Sequence, residues 1–309
     1  MLRNIKSAIV TGATGAIGIS LCKLLSDKGI KVYAVCHTNS NRIPRIPSGV
    51  AVIKCDMNNY RNLTKLFNEK IDAVFHLAWS SPSGEGRHNP EVQLKNVEYT
   101  LDLLKASVNL SAKVFVGAGS QAEYGRHNEP LTPLTPCEPY MQYGAAKLAA
   151  GNMCKIAASD TKTDFIWTRI LSVYGPCDGE KSMISKLIHS LENGEKPKLS
   201  KCEQMWDYLY CDDAARALYM LAQKGVAGKT YVVASGESKA LKEYVEKVKD
   251  CINPDAQIGY GEFAVKNPLE LRADISALTA DTGFVSKIDF DEGIRRTVEW
   301  YRNTENNAE

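Results

Sequence analysis

A chain of 309 residues with 44% apolar and 24% charged side chains has the material for one large α/β domain, or for a main domain with a smaller one appended. A formal net charge of +2 gives no reason to expect nucleic acid or an anionic membrane as partner, and no apolar run approaches the ~20 residues of a membrane span. Nine cysteines, with no Cys-x-x-Cys pair and no Cys/His cluster at zinc spacing, suit a reduced cytoplasm; a cytoplasmic location and no metal are expected.

The chain opens on "MLRNIKSAIVTGATG", which runs straight into a strand pattern, so no signal peptide is expected. "SAIVTG" (7–12) reads as a strand, and "AIGISLCKLLSDKG" as a helix closed by Gly29. Strands follow at 31–36 and 51–55, then a weaker helix over 59–69, a strand at 72–78, a long helix around 89–109 and a strand at 113–119. A helix over 138–159 and a strand at 164–170 complete the alternation. It predicts a parallel, doubly wound α/β sheet, because parallel strands need crossover helices on the sheet faces. Beyond residue 175 the rhythm changes. A helix at 182–193 leads to short strands, the helix "DDAARALYMLAQKG", the strand "KTYVVA", the helix "LKEYVEKVKDCI" and a last helix, "FDEGIRRTVEWYRN". A cofactor-binding sheet domain over 1–175, to which 206–235 return, is expected beside a smaller interwoven substrate-binding lobe over 176–309. No linker of Pro, Gly and Ser separates them, and the tail "NTENNAE" is expected to fray.

The first strand runs into "TGATGAIG" (11–18), which places Gly12, Gly15 and Gly18 on the turn and at the start of the helix. Glycine there permits positive φ and close approach to a pyrophosphate, while the helix N-terminus offers free N–H groups. The spacing is Gly-x-x-Gly-x-x-Gly rather than the general Gly-x-Gly-x-x-Gly of dinucleotide sites. Thr14, Ala16 and Ile17 fall within the same expected cradle. An NAD-binding chain tends to carry an acid at the end of the second strand, for the ribose hydroxyls. This chain reads "VCHTNSNR" there, and His37, Ser40 and Arg42 are donors suited to a 2′-phosphate, so NADP(H) is expected over NAD(H). Asp56 is a candidate acceptor for the adenine amino group. Met57, Leu77 and Ala78 complete the expected cofactor contacts.

One further segment, "YGAAK" (143–147), puts a phenol and an ammonium one helical turn apart. With "TGATGAIG", "CD" (55–56), "HLA" (76–78), "GSQAEYG" (119–125), "TRILSVYGP" (168–176), "WDYLYCDDAARAL" (206–218) and "ADISALTADTGF" (273–284), it makes the chain resemble the extended short-chain dehydrogenase/reductases. Within them it is similar to the NAD(P)-dependent epimerase/dehydratase group acting on nucleotide sugars. The resemblance covers nearly the whole chain. It implies a Rossmann-type fold, Tyr143 as proton donor and acceptor, Lys147 on the nicotinamide ribose, and Ser120 hydrogen-bonded to the substrate oxygen. A free phenol has a pKa of about 10, so a nearby cation is needed to bring it toward the working range.

The same resemblance sorts the chemistry. Nucleotide-sugar 4,6-dehydratases place Asp and Glu directly after the active-site hydroxyl; here Gln121 and Ala122 stand there, and Glu123, one place later, is expected to be structural or substrate-orienting. What remains is a 4-ketosugar reductase or an NAD-dependent 4-epimerase; the acid-free "CHTNSNR" favours the reductase, similar to the CDP-abequose-synthase type and acting on the C4 carbonyl of a nucleoside-diphosphate 4-keto-deoxyhexose, and a non-catalytic NADP(H)-binding regulator is the alternative of another class. Arg272 resembles the family's diphosphate-binding arginine. Ser172 stands where many relatives have asparagine, and Trp206 where many have arginine. Trp79 and Ser80 are expected to line the sugar pocket, with Gln121 beside them, and His76 to be a strand-end residue rather than a base. A homodimer through the helices at 89–109 and 138–159 is implied by the resemblance alone.

Overall fold

The computed structural model describes residues 2–265 and 268–305. Its centre is one sheet of seven strands: β1 (Ser7–Thr11), β2 (Lys31–Cys36), β3 (Ala51–Lys54), β4 (Ala73–His76), β5 (Val114–Ser120), β6 (Asp164–Ile170) and β7 (Thr230–Val233). All pairings are parallel, and the spatial order is β7-β6-β5-β4-β1-β2-β3. The helices are α1 (Ala16–Asp27), α2 (Pro90–Asn109), α3 (Gln142–Ala158), α4 (Met183–Glu192), α5 (Cys211–Lys224), α6 (Leu241–Ile252), α7 (Ser276–Thr282) and α8 (Phe290–Glu305).

The alternation of side chains along a strand decides which helix each residue meets. Ala8 and Val10 of β1 pack with Leu21 and Leu25 of α1, Leu218 of α5 and Leu278 of α7. Ile9 points the other way and joins Leu103 and Leu104 of α2 with Ala150 and Cys154 of α3. A buried leucine stabilises this three-layer arrangement by roughly 1.5–3 kcal/mol. α1 ends as its sequence requires. Gly29 has φ +72, its N–H bonds to the Ser26 carbonyl at 2.8 Å, and the Ile30 N–H to the Leu25 carbonyl at 3.0 Å. All nine cysteines are free and seven are buried.

β1 and β4 lie side by side, with Thr11 opposite His76. The order reverses there, the chain leaving β1 toward β2 on one side and β4 toward β5 on the other. In open α/β sheets such a point opens a crevice at the carboxyl ends of the strands. A second core, built on α4, α6 and α8, packs around Tyr174, Tyr210, Tyr244 and Phe290 beside that crevice. The Tyr244 and Phe290 ring centres are 4.7 Å apart.

Three segments differ from expectation. The helix expected over 59–69 is a 3-10 run, Met57–Leu66, because "MNNYRN" holds asparagines that compete for backbone hydrogen bonds. α3 starts at Gln142 rather than 138: Pro139 disfavours helical backbone before it, and Met141 is still extended at φ −144 and ψ 155. α7 occupies a segment where no periodicity is read, and is closed by Gly283 at φ +80. Of the tail, residues 303–305 end α8, while 306–309 lie outside the described residues. Among the described residues no helix is long and apolar enough to cross a membrane.

Candidate active site

The glycine turn lies at the crevice. Gly12 has φ +66, and a Cβ on it would lie 2.7 Å from the Ala78 nitrogen and the Leu77 carbonyl carbon, so Leu77 and Ala78 close against the turn from β4. A Cβ on Gly18 would lie 2.7 Å from the Ala13 Cα, inside the protein. Gly15 is different: a Cβ there meets only the Gly12 oxygen, at an ordinary 3.7 Å. Gly15 is also the N-cap of α1, and no side chain caps that end, which leaves the first-turn N–H groups of Ala16 and Ile17 to be satisfied from outside the helix. Thr14 lies half-buried in the same turn. A cradle closed below by Gly12 and Gly18 and open above Gly15 fits the pyrophosphate of a dinucleotide.

Thr11 secures the turn from beneath. Its hydroxyl pairs with His76 Nδ1 at 2.8 Å and accepts from the Leu77 and Ala78 N–H groups at 3.2 and 3.3 Å. His76 Nε2 pairs with the Thr100 hydroxyl at 3.1 Å. Burial, reinforced by the Lys147 charge, pushes the His76 pKa down to about 3, so this imidazole is a neutral brace between β1, β4 and α2.

Asp56, which follows β3, accepts from the N–H of Thr38, just past β2, at 2.8 Å and from the Thr38 hydroxyl, which holds its carboxyl below the usual range. Met57 follows it at the start of the 3-10 run. His37 Nε2 stands 3.5 Å from Asp56, and the Ser40 hydroxyl accepts from the Arg42 N–H at 3.2 Å. Arg42 is exposed and lines a cleft of about 530 Å³ with Arg45, Lys186 and Trp300. The Arg45 guanidinium carbon lies 5.9 Å from the Trp300 ring centre. Arg45 lies just past "VCHTNSNR", and the 3-10 turn Ile43–Arg45, with the Arg45 N–H bonded to the Arg42 carbonyl at 3.0 Å, brings it beside Arg42.

Ser120 ends β5 and is buried. Its hydroxyl donates to Gln121 Oε1 at 2.6 Å and accepts from the Ala122 N–H at 3.2 Å. Tyr143 comes to it because α3 meets the strand end closely: a Cβ on Gly144 would overlap the Ala122 carbonyl oxygen. Burial raises the Tyr143 pKa above the ordinary phenol value, opposed by hydrogen bonding with Ser120 and by the charge of Arg87, and reinforced by Glu123. Lys147 is buried, donates to the Ala118 carbonyl at 2.5 Å and lies 3.8 Å over the Trp79 ring. Its pKa is pushed down to about 7 by burial, against the pull of Glu123. The expected pairing of Lys147 with Tyr143 is therefore looser than helical spacing suggests. Lys147 Nζ is 5.9 Å from the Tyr143 ring centre, whereas the Arg87 guanidinium carbon is 4.5 Å away.

Trp79 stands edge-on to Tyr143, with ring centres 6.1 Å apart, and its Nε1 donates to Gln93 Oε1 at 2.8 Å. The Ser80 N–H donates to Asn96 Oδ1 at 2.8 Å. Glu123 takes no part in the crevice. It is fully buried and accepts from the Ser120 N–H at 2.8 Å, from Trp167 Nε1 at 3.1 Å and from Arg169 Nε at 2.9 Å. Of its two expected roles, the structural one describes this geometry, since it locks the backbone of Ser120.

On the other wall, Ser172 and Trp206 meet: Trp206 Nε1 donates to the Ser172 hydroxyl at 2.9 Å. Beneath them Asp207, fully buried, accepts from the Ser235 and Gly236 N–H groups at 2.8 and 2.9 Å. Arg272 donates to the Asn128 carbonyl, and its Nε, buried without a hydrogen-bond partner, stands 4.0 Å from the Glu270 carboxylate. The segment carrying it is tied to the loop ahead of Tyr143 by Leu131 N–H to Arg272 carbonyl (2.8 Å) and Asp274 N–H to Leu131 carbonyl (2.9 Å).

The family model for the NAD dependent epimerase/dehydratase family matches residues 8–234, from within β1 to just past β7. The chain belongs to this family. The match spans the glycine turn and the Ser120, Tyr143 and Lys147 cluster, and stops before α6. The chain is 26% identical to the trifunctional UDP-glucose 4,6-dehydratase/UDP-4-keto-6-deoxy-D-glucose 3,5-epimerase/UDP-4-keto-L-rhamnose-reductase RHM3 of Arabidopsis thaliana, over 97% of this chain and 48% of that protein. It thus spans about half the length of that relative. The UDP-N-acetylglucosamine 4-epimerase of Methanobrevibacter ruminantium M1, solved with UDP-N-acetylmuramic acid, superposes with a TM-score of 0.87 at 26% identity, over 97% of this chain and 99% of that one. RMD from Pseudomonas aeruginosa, complexed with NADPH, superposes with a TM-score of 0.82 at 22% identity, over 97% and 99%. That last likeness is one of fold.

Proposed function

We propose that this member of the epimerase/dehydratase family reduces the C4 carbonyl of a nucleoside-diphosphate 4-keto-deoxyhexose, with NADPH as reductant. One observation carries the reading: Ser120, Tyr143 and Lys147 converge at the carboxyl edge of the sheet beside the open glycine cradle, with no free carboxylate among them. NADPH, when bound, supplies the hydride. Tyr143 donates its proton to the product alkoxide, and burial suits it to that part by keeping the phenol protonated at neutral pH. The Ser120 hydroxyl exchanges its Gln121 bond for one to the substrate carbonyl and polarises it. Lys147 holds the ribose of the cofactor, and Gly12, Gly15 and Gly18 its pyrophosphate, with Ala16 and Ile17 donating N–H groups. His37, Ser40 and Arg42 are the donors offered to the 2′-phosphate, and Arg45 shares a cleft with Arg42 that Asp178 and Glu180 also line.

Dehydration is disfavoured because Gln121 and Ala122 do not ionise and Glu123 is closed to substrate. Trp79, Ser80, Gln121, Ser172 and Trp206 line the sugar side, and Arg272 meets the diphosphate. A homodimer is part of the reading. Leu94 of α2 and Met153 and Ile156 of α3 are exposed apolar residues on the helices concerned, and Ile156→Glu is expected to give monomers by light scattering.

A second reading, the NAD-dependent 4-epimerase, is favoured by the 26% identity with the Methanobrevibacter enzyme. Titration with NADPH and NADH separates the two. At least tenfold tighter NADPH, a difference of ~1.4 kcal/mol, supports the reductase, and a screen of nucleoside-diphosphate 4-keto-6-deoxysugars follows. Tightly held NAD, with no gain from the 2′-phosphate, sinks it. Tyr143→Phe is expected to abolish turnover and spare cofactor binding; a protein that binds NADPH but turns over no substrate before that change is the regulator.

A further inference from the structure

Nothing in "SSPSGEGRHNP" marks Arg87, yet it holds the cation nearest the Tyr143 ring. It lies in the 3-10 turn Gly84–His88, with its guanidinium carbon 4.5 Å from the ring centre. Several guanidiniums here have carboxylates, Arg3 with Asp164, Arg61 with Asp102, Arg169 with Glu123 and Arg216 with Asp213, while the exposed Arg42 and Arg45 show none among the described residues. Arg87 has none within ion-pair distance among the described residues, and its Nε is closed to solvent without a hydrogen-bond partner. Arg87 is half-buried, and the Nε edge of its guanidinium, closed to water and unpartnered, favours an anion forming beside it.

Its placement is built in. Gln93 of α2, 1% exposed, donates to the Gly86 carbonyl at 2.9 Å and the Ser81 carbonyl at 3.2 Å, while accepting from Trp79 Nε1. One buried amide thus fixes both neighbours of the phenol, Arg87 on its face and Trp79 at 86° to it. Lys147 is engaged elsewhere, with the Ala118 carbonyl and the Trp79 ring.

We propose that Arg87 is a positioning residue for proton transfer at Tyr143: stacked on the ring and lacking an anion of its own, it fixes the phenol and supplies the counter-charge when the phenolate forms. In the transfer the Tyr143 O–H bond breaks, the proton joins the alkoxide oxygen of the product, and the negative charge left on Tyr143 lies under the guanidinium, whose own protons do not move. The charged groups facing Tyr143 are Arg87 from the 3-10 turn, Lys147 from α3 and Glu123 from the segment after β5. Arg87 favours the phenolate and Glu123 opposes it.

The proposal rests on the reading of Tyr143 as the proton-transfer residue, and its test needs no sugar. Tyr143 is replaced by 3,5-difluorotyrosine, the protein is saturated with NADP+, and the fluorine resonance is followed against pH. Arg87→Met is expected to raise the ionisation midpoint by about one unit, a tenfold shift, and Arg87→Lys to recover most of it. An unchanged midpoint in Arg87→Met overturns the proposal, as does a shift that Arg87→Lys leaves in place. If Arg87→Met does not fold by circular dichroism, Arg87→Gln takes its place with the same expected shift. In turnover with a substrate found by the 4-keto-sugar screen, Arg87→Met is expected to lower kcat about tenfold at constant KM and to move the alkaline limb of the kcat profile up by the same unit. A loss confined to KM overturns the proposal and makes Arg87 an anchor for an anionic group on the substrate. Failure of the screen leaves the fluorine titration intact, so the two readings fail separately.

Discussion

Glu123→Gln tests whether the carboxylate nearest Ser120 belongs to the chemistry or to the scaffold. Glu123 is fully buried and its partner Arg169 only 7% exposed. The substitution leaves the guanidinium buried without its counter-charge. Breaking a buried pair from one side costs about 3–5 kcal/mol. Glutamine keeps one carbonyl oxygen for the bonds that Ser120, Trp167 and Arg169 now donate, so the lower end, about 3 kcal/mol, is expected. With an unfolding entropy of about 2.1 cal/mol/K per residue, a chain of 309 residues loses roughly 1.5 °C per kcal/mol, so the melting temperature falls by about 5 °C. The assay pairs a thermal melt by circular dichroism with kcat at saturating NADPH and sugar. A scaffold role predicts a lowered melt, kcat within about tenfold of wild type and unchanged NADPH affinity; Glu123→Gln/Arg169→Met is expected to regain part of the melt, because removing both charges leaves neither buried alone. An unchanged melt with turnover abolished would refute the reasoning and return Glu123 to the reaction.

Gly15→Ala is expected to fold with an unchanged melt, since its Cβ meets only the Gly12 oxygen at 3.7 Å, while NADPH binding weakens at least tenfold (~1.4 kcal/mol) by calorimetry; equal affinity would place the pyrophosphate elsewhere. Lys147 carries a pH signature. The unfolded chain keeps this proton to near the ordinary 10.5, and the folded one sheds it near 7. Between those values the unfolded state binds more protons, so the stability of the wild type relative to Lys147→Met rises with pH across that window and levels off below it. Urea midpoints of the two proteins, measured without cofactor at three pH values inside the window, check this; a constant difference would mean that Lys147 stays charged where it is.

The parts of the site legible in the sequence are those the chain makes locally. The strand, Gly12, Gly15, Gly18 and α1 are contiguous, so the glycine turn and the uncapped helix end follow from one stretch of residues. Tyr143 and Lys147 share a helix, and Ser120 ends a strand, so their common edge was readable too. What stayed hidden depends on which distant side chain arrives. Helical spacing puts Lys147 near Tyr143, but it cannot show that the Ala118 carbonyl and Trp79 compete for the ammonium, or that Arg87 takes the ring face. In sequence Glu123 stands one place past the dehydratase acids, open to a structural or a substrate-orienting role, and the fold closes it off from the crevice. The physical cause is a 3-10 turn in which Glu123 reaches back to the Ser120 N–H, with Trp167 and Arg169 waiting beneath.

Ser172 and Trp206 carry the same lesson onto the far wall. In sequence they are two separate departures from the residues many relatives hold, an asparagine and an arginine. In the fold they are one, since the indole N–H of Trp206 is satisfied by the Ser172 hydroxyl at 2.9 Å. A half-buried indole needs such an acceptor, and a serine in place of asparagine leaves room for the ring while keeping an oxygen for its N–H. With Trp206 in that place the wall carries an indole, tilted against Tyr208 with ring centres 6.3 Å apart, rather than a cation. With the indole N–H already satisfied within the protein, this wall asks for no acceptor from whatever occupies the proposed pocket and offers it a ring face instead.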